Sequence, residues 1–353
     1  MKVVFVLPDM GSGGAERVVS ILSKQLNKQG YNVDILMLFG SRCSYDIDEE
    51  ANLLQMNLLI YNKLSRITLL RKYFKSVLKL DKKVVVVAFQ DSCLTYVLAS
   101  TLGLNVKVVA SERSNPYRKG HSIFSRFYAS IPYMLCNRLV FQTPDARNYY
   151  LMLLNRHCYV ICNPITRTNI RWKRDLSPAK LISVCRLHYK KNIEMTLLGI
   201  QKLKLKYPNI HLDIYGEGDW KLKLEHLIFE YNIEDNVSFC GVTSDVLAKL
   251  SESSIFISTS SEEGISNSML EAMSVGMPVI CTDCPIGGAK MMLSNGAGQL
   301  VPVDNVEAFV EKLDMLLSHP VLSNQMAEKG YLRTLEFTSD AVTNLWKKVF
   351  NSL

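Results

Sequence analysis

The sequence predicts an α/β protein built from two doubly wound domains, each a parallel sheet with helices on both faces. Eleven short β-rich segments are continuously apolar instead of alternating, which is typical of parallel strands buried on both faces. Amphipathic segments of helical length separate them, and this alternation indicates βαβ units. A chain of 353 residues with 48% hydrophobic residues is long enough for two cores of ordinary size.

The predicted strands fall into two series. They cover 2–7, 32–38, 83–89, 105–110, 137–142 and 158–162 in the first half, and 180–185, 211–216, 236–241, 254–259 and 277–282 in the second. Between the series, Asn163-Pro164 and the polar segment 166–178 predict a domain boundary. We therefore expect an N-terminal Rossmann-like domain over 1–165, a C-terminal one over 166–337, and a final helix over 338–353 that returns to the first domain.

The composition excludes several classes of protein. Charged residues make up 21% of the chain and Gly and Pro together number 29, which excludes a disordered or collagen-like chain. No apolar run approaches the ~18–20 residues that span a bilayer. The N-terminus has too few apolar residues before Pro8 for a signal peptide, so we interpret it as a first strand. Nine cysteines without a framework spacing favour reduced thiols and a cytoplasmic protein.

The positive charge of the chain is unevenly distributed. Residues 1–165 contain 21 Lys and Arg against 11 Asp and Glu, a formal charge of +10, whereas the remainder has 20 against 22. The first domain is therefore expected to meet an anionic partner.

A glycine-rich turn follows the first predicted strand. Gly13 and Gly14 open the next helix, where free backbone N–H groups attract phosphate or sugar oxygens. Asp34 lies in the next strand, close to where a ribose-binding acid belongs in a dinucleotide fold, but Glu16 replaces the last glycine of that fingerprint. A plain tight turn and a ligand contact both remain open.

Two further polar segments follow strands of the second series. Arg186 and Lys191 lie just after a strand, at the carboxyl edge of the predicted sheet, where they could converge on one diphosphate. A solvated basic loop is the alternative. After the strand 254–259, Glu263 precedes a helix that begins at Ser266 or Asn267, with N–H groups free for an anion or a sugar hydroxyl.

Glu271 lies inside that helix among apolar residues. Burying an unpaired carboxylate is costly, so this position needs a partner. The vicinal diol of a ribose would supply two hydrogen-bond donors to it.

Together with SERSNP (111–116), NPI (163–165), YGEGDWKLKLE (215–225) and EAMSVGMPVICTDCPIGGAKMM (271–292), these segments resemble the retaining glycosyltransferases of family 4. That family has the GT-B fold, in which two Rossmann-like domains flank a cleft. The resemblance covers nearly the whole chain. It is strongest to bacterial enzymes that build capsule, lipopolysaccharide or lipid-linked oligosaccharides.

The resemblance implies a role for each matching residue. Arg186 and Lys191 would hold the nucleotide diphosphate as leaving group, and Glu271 would accept the ribose hydroxyls. Glu263 would face the donor sugar. The remaining matches would contact the nucleotide sugar through backbone groups: Gly264, Ile265, Ser266 and Asn267 at the sugar, Gly13 and Gly14 over the diphosphate and acceptor, and Gly216 and Gly218 at the base.

The resemblance also implies an activity. The enzyme would move a sugar from a nucleotide sugar, UDP-hexose or UDP-N-acetylhexosamine, to a polyprenyl-diphosphate or glycan acceptor, with no metal, cofactor or nucleic acid. An epimerase or hydrolase on the same fold is the alternative, and a dinucleotide-dependent oxidoreductase is less well supported. Relatives often have a His facing the donor sugar at the position of Arg113, and a Pro at the position of Ser266. Because this part of the chain would face the donor sugar, Glu112 and Arg113 are candidate contacts to the sugar or acceptor.

Two other motifs have simpler interpretations. Asp46-Ile47-Asp48 matches the metal signature of a different glycosyltransferase fold, but it lies in a polar connector and is interpreted as a solvated loop. Cys281-x-x-Cys284 has no second pair at zinc-site spacing, so two ordinary thiols are expected.

The segment 63–83 predicts a helix with eight basic residues. Ile67, Leu70, Phe74, Val77 and Leu78 share one face, and four cations lie beside it: Arg71, Lys72, Lys75 and Lys79. This is either a packing helix with a solvated edge or a surface that faces anionic lipid or a polyprenyl diphosphate. We expect a cytoplasmic protein peripherally bound to the inner face of the cell membrane.

Overall fold

The computed structural model describes residues 1–11, 13–150, 158–173 and 180–353. They form two α/β units, Met1–Pro164 with Ser339–Leu353, and Ile165–Thr338. Each unit contains one parallel sheet between helices, so the predicted fold class is confirmed. Part of the polar segment 166–178 lies outside the described residues, as does Ser12 in the glycine-rich turn.

The elements of the two units follow one another in simple alternation. Those of the first unit before the boundary are β1 (Lys2–Leu7), α1 (Gly14–Asn27), β2 (Asn32–Met37), β3 (Asn52–Gln55), α2 (Lys63–Leu80), β4 (Val84–Ala88), α3 (Asp91–Thr101), β5 (Lys107–Glu112), α4 (Ile123–Met134), β6 (Arg138–Phe141), α5 (Pro144–Tyr149) and β7 (Cys158–Val160). Those of the second are β8 (Lys180–Val184), α6 (Ile193–Leu203), β9 (His211–Tyr215), α7 (Lys221–Glu230), β10 (Val237–Gly241), α8 (Val246–Ser251), β11 (Ile255–Ser258), α9 (Asn267–Val275), β12 (Val279–Thr282), α10 (Gly288–Leu293), β13 (Gln299–Val301), α11 (Val306–Ser318) and α12 (Pro320–Thr334). The last helix, α13 (Ser339–Asn351), belongs to the first unit.

The first sheet has the strand order β3-β2-β1-β4-β5-β6-β7. The chain begins near its centre and winds outward in both directions, so the topological switch point lies between β1 and β4. Ligands of doubly wound folds bind at the carboxyl ends of the strands beside such a point. The helices α2, α3 and α4 form one layer, in which α3 contacts both neighbours.

Asp34 lies at the other end of this sheet, in the amino-terminal half of β2. It is buried, and its carboxylate accepts hydrogen bonds from Lys2 Nζ at 2.6 Å, Asn52 Nδ2 at 2.8 Å and the Tyr73 hydroxyl at 2.6 Å. The interaction with Tyr73 ties α2 to the sheet. Asp34 is thus a structural ion pair far from the carboxyl edge, and the oxidoreductase interpretation based on it is wrong.

The C-terminal helix α13 is anchored by aromatic packing. Trp346 is fully buried, with its ring centroid 5.8 Å from that of Phe89 and 6.5 Å from that of Phe5. Because Phe5 and Phe89 lie on or next to the central strands β1 and β4, the last helix is part of the first core.

The second sheet has the order β10-β9-β8-β11-β12-β13, again with all pairs parallel. Its switch point lies between β8 and β11. Leu181, Leu212 and Ile257 contribute to a buried core that α6 and α11 complete through residues such as Leu197 and Phe309. This packing fixes the carboxyl ends of β8, β9, β11 and β12 side by side.

All eleven predicted strands are present, with ends within two residues of their predicted positions. In the described part of the chain, two strands were not predicted: β3 and β13 have four and three residues and lie at the edges of their sheets. Over the ranges described, no helix is both long and apolar enough to cross a membrane.

Candidate functional site

Three loops meet at the carboxyl edge of the second sheet. They follow β8, β11 and β12. The Ser261 N–H donates to the Lys190 carbonyl at 2.9 Å, and the Glu263 N–H donates to the Pro285 carbonyl at 3.0 Å. The Ile286 N–H donates in return to the Glu263 carbonyl at 3.1 Å. The loop that carries Glu263 is therefore held on both sides by backbone hydrogen bonds, beside the loop that carries Arg186 and Lys191.

Lys191 and Glu263 form an ion pair across these loops, with each side chain about one quarter exposed. Burial alone would lower the pKa of Lys191, but the Glu263 carboxylate outweighs burial and raises it. Lys191 is consequently protonated at neutral pH. Its neighbour Lys190 pairs with Glu262 at 3.1 Å, so the two adjacent lysines have separate acidic partners.

Arg186 lies on the same loop with its side chain exposed. Among the residues that the structure describes it forms no ion pair. The loop is fixed by two backbone bonds to the β9–α7 segment, from the Cys185 N–H to the Tyr215 carbonyl at 2.9 Å and from the Leu187 N–H to the Glu217 carbonyl at 3.0 Å. Arg186 is thus a solvent-facing cation on a rigid backbone.

The two glycines predicted to line the base pocket, Gly216 and Gly218, allow a close approach between two loops. A Cβ on Gly216, where φ is +136°, would lie 1.9 Å from the Cys185 carbonyl oxygen, and one on Gly218 would lie 2.0 Å from that of Leu187. Both glycines therefore let the β9–α7 segment approach the Arg186 loop. Contact with a base stays a prediction.

A small pocket lies beside Glu263. Its volume of about 10 Å³ has room for one water molecule, and its lining combines the hydroxyl groups of Ser258, Ser260, Ser266 and Thr282 with Met269, Cys281 and Cys284. Ser266 caps α9, its hydroxyl accepting from the Met269 N–H at 3.3 Å. The pocket is far smaller than the ~300 Å³ or more of a typical ligand site, so a ligand would contact its hydroxyl groups from outside.

Glu271 lies one turn into α9 with its side chain partly exposed, while Leu270 and Ala272 on either side are buried. Its partial burial among apolar neighbours agrees with a carboxylate that needs a partner. Its predicted role toward a ribose rests on the resemblance alone. Ile265 is buried and Asn267 is the first residue of α9.

The first unit has its own polar residues at the switch point. Gly13 caps the exposed start of α1, and a Cβ there would lie 2.1 Å from Glu16 Oε2. Glu16 is buried and accepts from Gln90 Nε2 at 3.0 Å. Burial, helped by the nearby Asp9, raises the pKa of Glu16, a property common at functional sites. The sequence pattern did not single out Glu16 or Gln90 as site residues, although both follow strands that flank the switch point.

Glu112 has a different role from the one expected. Its side chain is 1% exposed. Its carboxylate accepts five hydrogen bonds, from Ser114 N and Oγ, Lys119 Nζ, and the hydroxyls of Tyr133 and Tyr150. Both oxygens are occupied by protein donors, so we assign Glu112 to the stability of the first unit and not to a contact with sugar or acceptor.

Arg113 points the other way, into the space beside Phe89. Its guanidinium lies 4.4 Å from the Phe89 ring centroid, and its Nε donates to Ser111 Oγ at 2.8 Å. Burial lowers the pKa of Arg113 to about 9, so it stays charged at neutral pH. Its buried Nη2 has no hydrogen-bond partner in the described part of the chain, which leaves a donor for a ligand oxygen.

The basic residues of α2 divide into two groups. Arg71 Nη1 donates to the carbonyls of Ser100 at 3.2 Å and Leu102 at 2.6 Å, so it caps the end of α3 and is unsuited to bind lipid. Lys72, Lys75 and Lys79 are exposed. The apolar face packs through Leu70, Phe74 and Val77, as the helical pattern predicts.

The remaining motifs have structural surroundings. Asp48 Oδ1 accepts from Asn27 Nδ2 at 3.1 Å and from the Glu50 N–H at 3.1 Å, which fastens its loop to α1. Cys281 and Cys284 are buried, and burial raises the pKa of Cys284 to about 11. Within the described ranges, no group of three or more His, Cys, Asp or Glu side chains could hold a metal ion.

A larger cavity in the second unit lies elsewhere. It has a volume of about 480 Å³, and its lining includes Arg167, Arg171 and Tyr331 but none of the predicted site residues. Because the cations and the Glu263 pocket lie together at the carboxyl edge, we place the site there.

Two Rossmann-like units with charged side chains at the carboxyl edges of parallel sheets are typical of proteins that bind nucleotides or other anionic ligands at the strand ends. Comparison with known sequence families agrees with this class. Residues 12–168 match the family described as Glycosyltransferase Family 4, and residues 166–333 match Glycosyl transferases group 1. The chain belongs to these glycosyltransferases, has the GT-B fold and is an enzyme that transfers glycosyl groups.

Individual relatives extend over the full chain. It is 28% identical to an uncharacterized glycosyltransferase of Haemophilus influenzae, over 99% of both chains. It is 24% identical to a Campylobacter jejuni α-1,4-N-acetyl-D-galactosaminyltransferase named for a diphospho-undecaprenol acceptor, over 99% of this chain and 98% of that one. The Anabaena HepE structure in complex with UDP and glucose has the same fold, with a TM-score of 0.82, 14% identity and full coverage of both chains.

Proposed function

We propose that the enzyme transfers a sugar with retention from a UDP-sugar to a polyprenyl-diphosphate or glycan acceptor in bacterial surface glycan synthesis. The observation that carries the proposal is the placement of Arg186 and protonated Lys191 on one rigid loop at the carboxyl edge of the second sheet. UDP in the Anabaena neighbour and the undecaprenol-linked acceptor in the name of the Campylobacter relative support the donor and acceptor classes.

In the proposed reaction the diphosphate leaves with an increase of negative charge. Lys191 and Arg186 would stabilise that charge from positions fixed before the reaction, which is where electrostatic catalysis is most effective. The transferred sugar would lie against Glu263, in contact with the hydroxyl groups of the small pocket there and with the N–H groups at the start of α9. The acceptor would use the polar carboxyl edge of the first sheet, near Glu16 and Arg113.

The direct test is a transfer assay on purified protein, preceded by a thermal-shift panel of UDP-, GDP- and ADP-sugars. A donor at one hundred times its Kd should stabilise the protein by roughly 2.7 kcal/mol. Transfer to a synthetic polyprenyl-diphosphate sugar supports the proposal. Turnover of the donor without acceptor, giving an epimer or free sugar, would favour the epimerase or hydrolase alternative.

The first prediction concerns metal. Two side-chain cations would supply the charge that a divalent ion supplies in metal-dependent transferases, so activity should persist in excess EDTA with no added Mg²⁺ or Mn²⁺. The measurement is the initial rate with and without chelator. An absolute requirement for metal, together with loss of activity in Asp48→Ala, would contradict the proposed mechanism.

The second prediction separates the two glutamates. Glu271→Gln should weaken binding of UDP alone by about 1.5–3 kcal/mol, because a charge-assisted hydrogen bond to ribose is lost. Glu263→Gln should not weaken it, since Lys191 would lose its competing acidic partner, but it should lower turnover. Isothermal titration with UDP and steady-state kinetics measure the two effects. The reverse pattern would mean that the two roles are exchanged.

We also propose that the enzyme works at the cytoplasmic face of the cell membrane. The first half of the chain carries the +10 charge, and Lys72, Lys75 and Lys79 are exposed along α2. A polyprenyl-diphosphate acceptor would be presented at such a surface, where each cation contributes about 1 kcal/mol of attraction to anionic lipid.

A further inference from the structure

The helix α4 has its apolar side turned outward. Six large apolar residues on it or at its end are exposed: Ile123, Phe124, Phe127, Tyr128, Ile131 and Leu135. At 100° per residue they fall within an arc of about 140° that carries no charge. Phe124 is 78% exposed and Ile123 75% exposed, which is unusual for so many neighbours on a single helix.

The opposite side of α4 is polar and faces the protein. Ser130 and Tyr133 are buried. Arg126 donates from Nε to the Tyr149 carbonyl and from Nη2 to the Asn148 carbonyl, both at 2.8 Å, so it caps α5. The helix is therefore attached to the first unit through the side that carries Arg126 and Tyr133, and all six residues of the apolar arc are at least 42% exposed.

The sequence on either side of this arc is strongly basic. The 32 residues from 113 to 144 contain five basic and no acidic residues, and Arg118 and His121, just before α4, are exposed. From residue 56 to 144, which covers the α2–α3–α4 layer, there are fourteen basic and three acidic residues, a formal charge of +11. This exceeds the +8 of the whole chain.

We propose that α4 is an interfacial membrane helix that inserts its apolar arc among the headgroups of an anionic bilayer. An exposed apolar arc in a segment of high positive charge is typical of helices that lie in the plane of such a surface. The helix has twelve residues, about 18 Å in length, which is too short to span the bilayer but suited to lie on it. This inference rests on the proposed function, because it names the surface at which that function would take place.

A second copy of the chain fits the surface less well. Pairing α4 with itself would bring two regions of high positive charge together, and like charges oppose association. A bilayer instead supplies both an apolar layer for the aromatic rings and negative headgroups for the basic border. Because insertion is hydrophobic, part of the binding should survive near 1 M salt, where electrostatic attraction is screened within about 3 Å.

The experiment compares vesicle flotation of the full chain and two double variants. The vesicles are phosphatidylcholine with phosphatidylglycerol, and phosphatidylcholine alone. Wild type should float with the anionic vesicles, and F124S/Y128S should bind at least about tenfold more weakly, since two exposed rings no longer enter the lipid. The matched control is L222S/F229S on α7, where Leu222 is 73% and Phe229 75% exposed. It should bind as wild type does.

The depth of insertion is tested with Phe124→Trp and lipids brominated on the acyl chains. Additional tryptophan quenching relative to wild type, in anionic vesicles only, is the expected result. No vesicle binding by wild type, equal loss in both double variants, or a dimer in solution that F124S/Y128S dissociates would each overturn the proposal.

Glycosyl transfer to a water-soluble short-chain acceptor distinguishes failure of this proposal from failure of the proposed function. F124S/Y128S should retain it, whereas failure of the proposed function would abolish it in every variant.

Discussion

Lys191→Ala is expected to lower kcat/KM for glycosyl transfer by about 10²–10³-fold. Removal of one preorganised group that stabilises charge in a transition state typically has an effect of this size. Lys191 is protonated, is held in place by Glu263 and lies on a loop fixed by backbone hydrogen bonds, so it needs little reorganisation to meet a diphosphate. Arg186→Ala should have an effect in the same direction, since Arg186 is the second cation on that loop.

The matched control is Lys190→Ala. Lys190 is adjacent, has the same charge and pairs with Glu262 in place of Glu263. Its loss should change kcat/KM by less than tenfold, which would show that position and not net charge matters. Circular dichroism and the thermal midpoint establish that each variant is folded. Near-normal kcat/KM in folded Lys191→Ala, or an equal loss in Lys190→Ala, would contradict the assignment.

The central strands of both sheets could be predicted from the sequence, because strands buried on both faces are continuously apolar. The segments 2–7 and 83–89 have this pattern, and they are the central pair β1 and β4. Edge strands lack it. β3 has four residues, at least three of them exposed, so no run of buried residues distinguishes it from a loop.

The site residues could be predicted from the sequence where a charged side chain comes directly after a predicted strand. Arg186 and Glu263 come after β8 and β11, and parallel neighbours bring such residues to one edge. What the sequence could not give is which side chains use one another as partners. Asp34 has the spacing of a ribose-binding acid, yet its carboxylate pairs with Lys2. Glu112 precedes a polar segment, yet all of its carboxylate is occupied by hydrogen-bond donors, one of them 38 positions away along the chain.

Glu112→Ala is expected to destabilise the first unit by about 3–5 kcal/mol. The variant leaves Lys119 and the hydroxyls of Tyr133 and Tyr150 without their shared acceptor, and breaking a buried charge network by removing one member has a cost of this size. Trp346 is buried in this unit, so denaturant unfolding followed by its fluorescence in a W172F/W220F background reports on the correct domain. Glu49→Ala, an exposed acid of the same unit, should change stability by no more than about 0.5 kcal/mol.

The pH dependence of unfolding tests whether the charge of Glu112 is what stabilises the first unit. Burial by itself would raise the pKa of Glu112, but Lys119 and the hydroxyls of Tyr133 and Tyr150 outweigh burial and hold that pKa below its ordinary value. A carboxyl whose pKa is depressed on folding contributes stability that is fully present above its unfolded pKa, near 4.3, and that is lost as the pH falls through the folded value. Wild type should therefore lose stability on acidification below about pH 5, and Glu112→Gln should lose less over the same interval because its side chain does not titrate. Equal acid slopes in wild type and Glu112→Gln would show that the carboxylate is not the group that links this domain to pH.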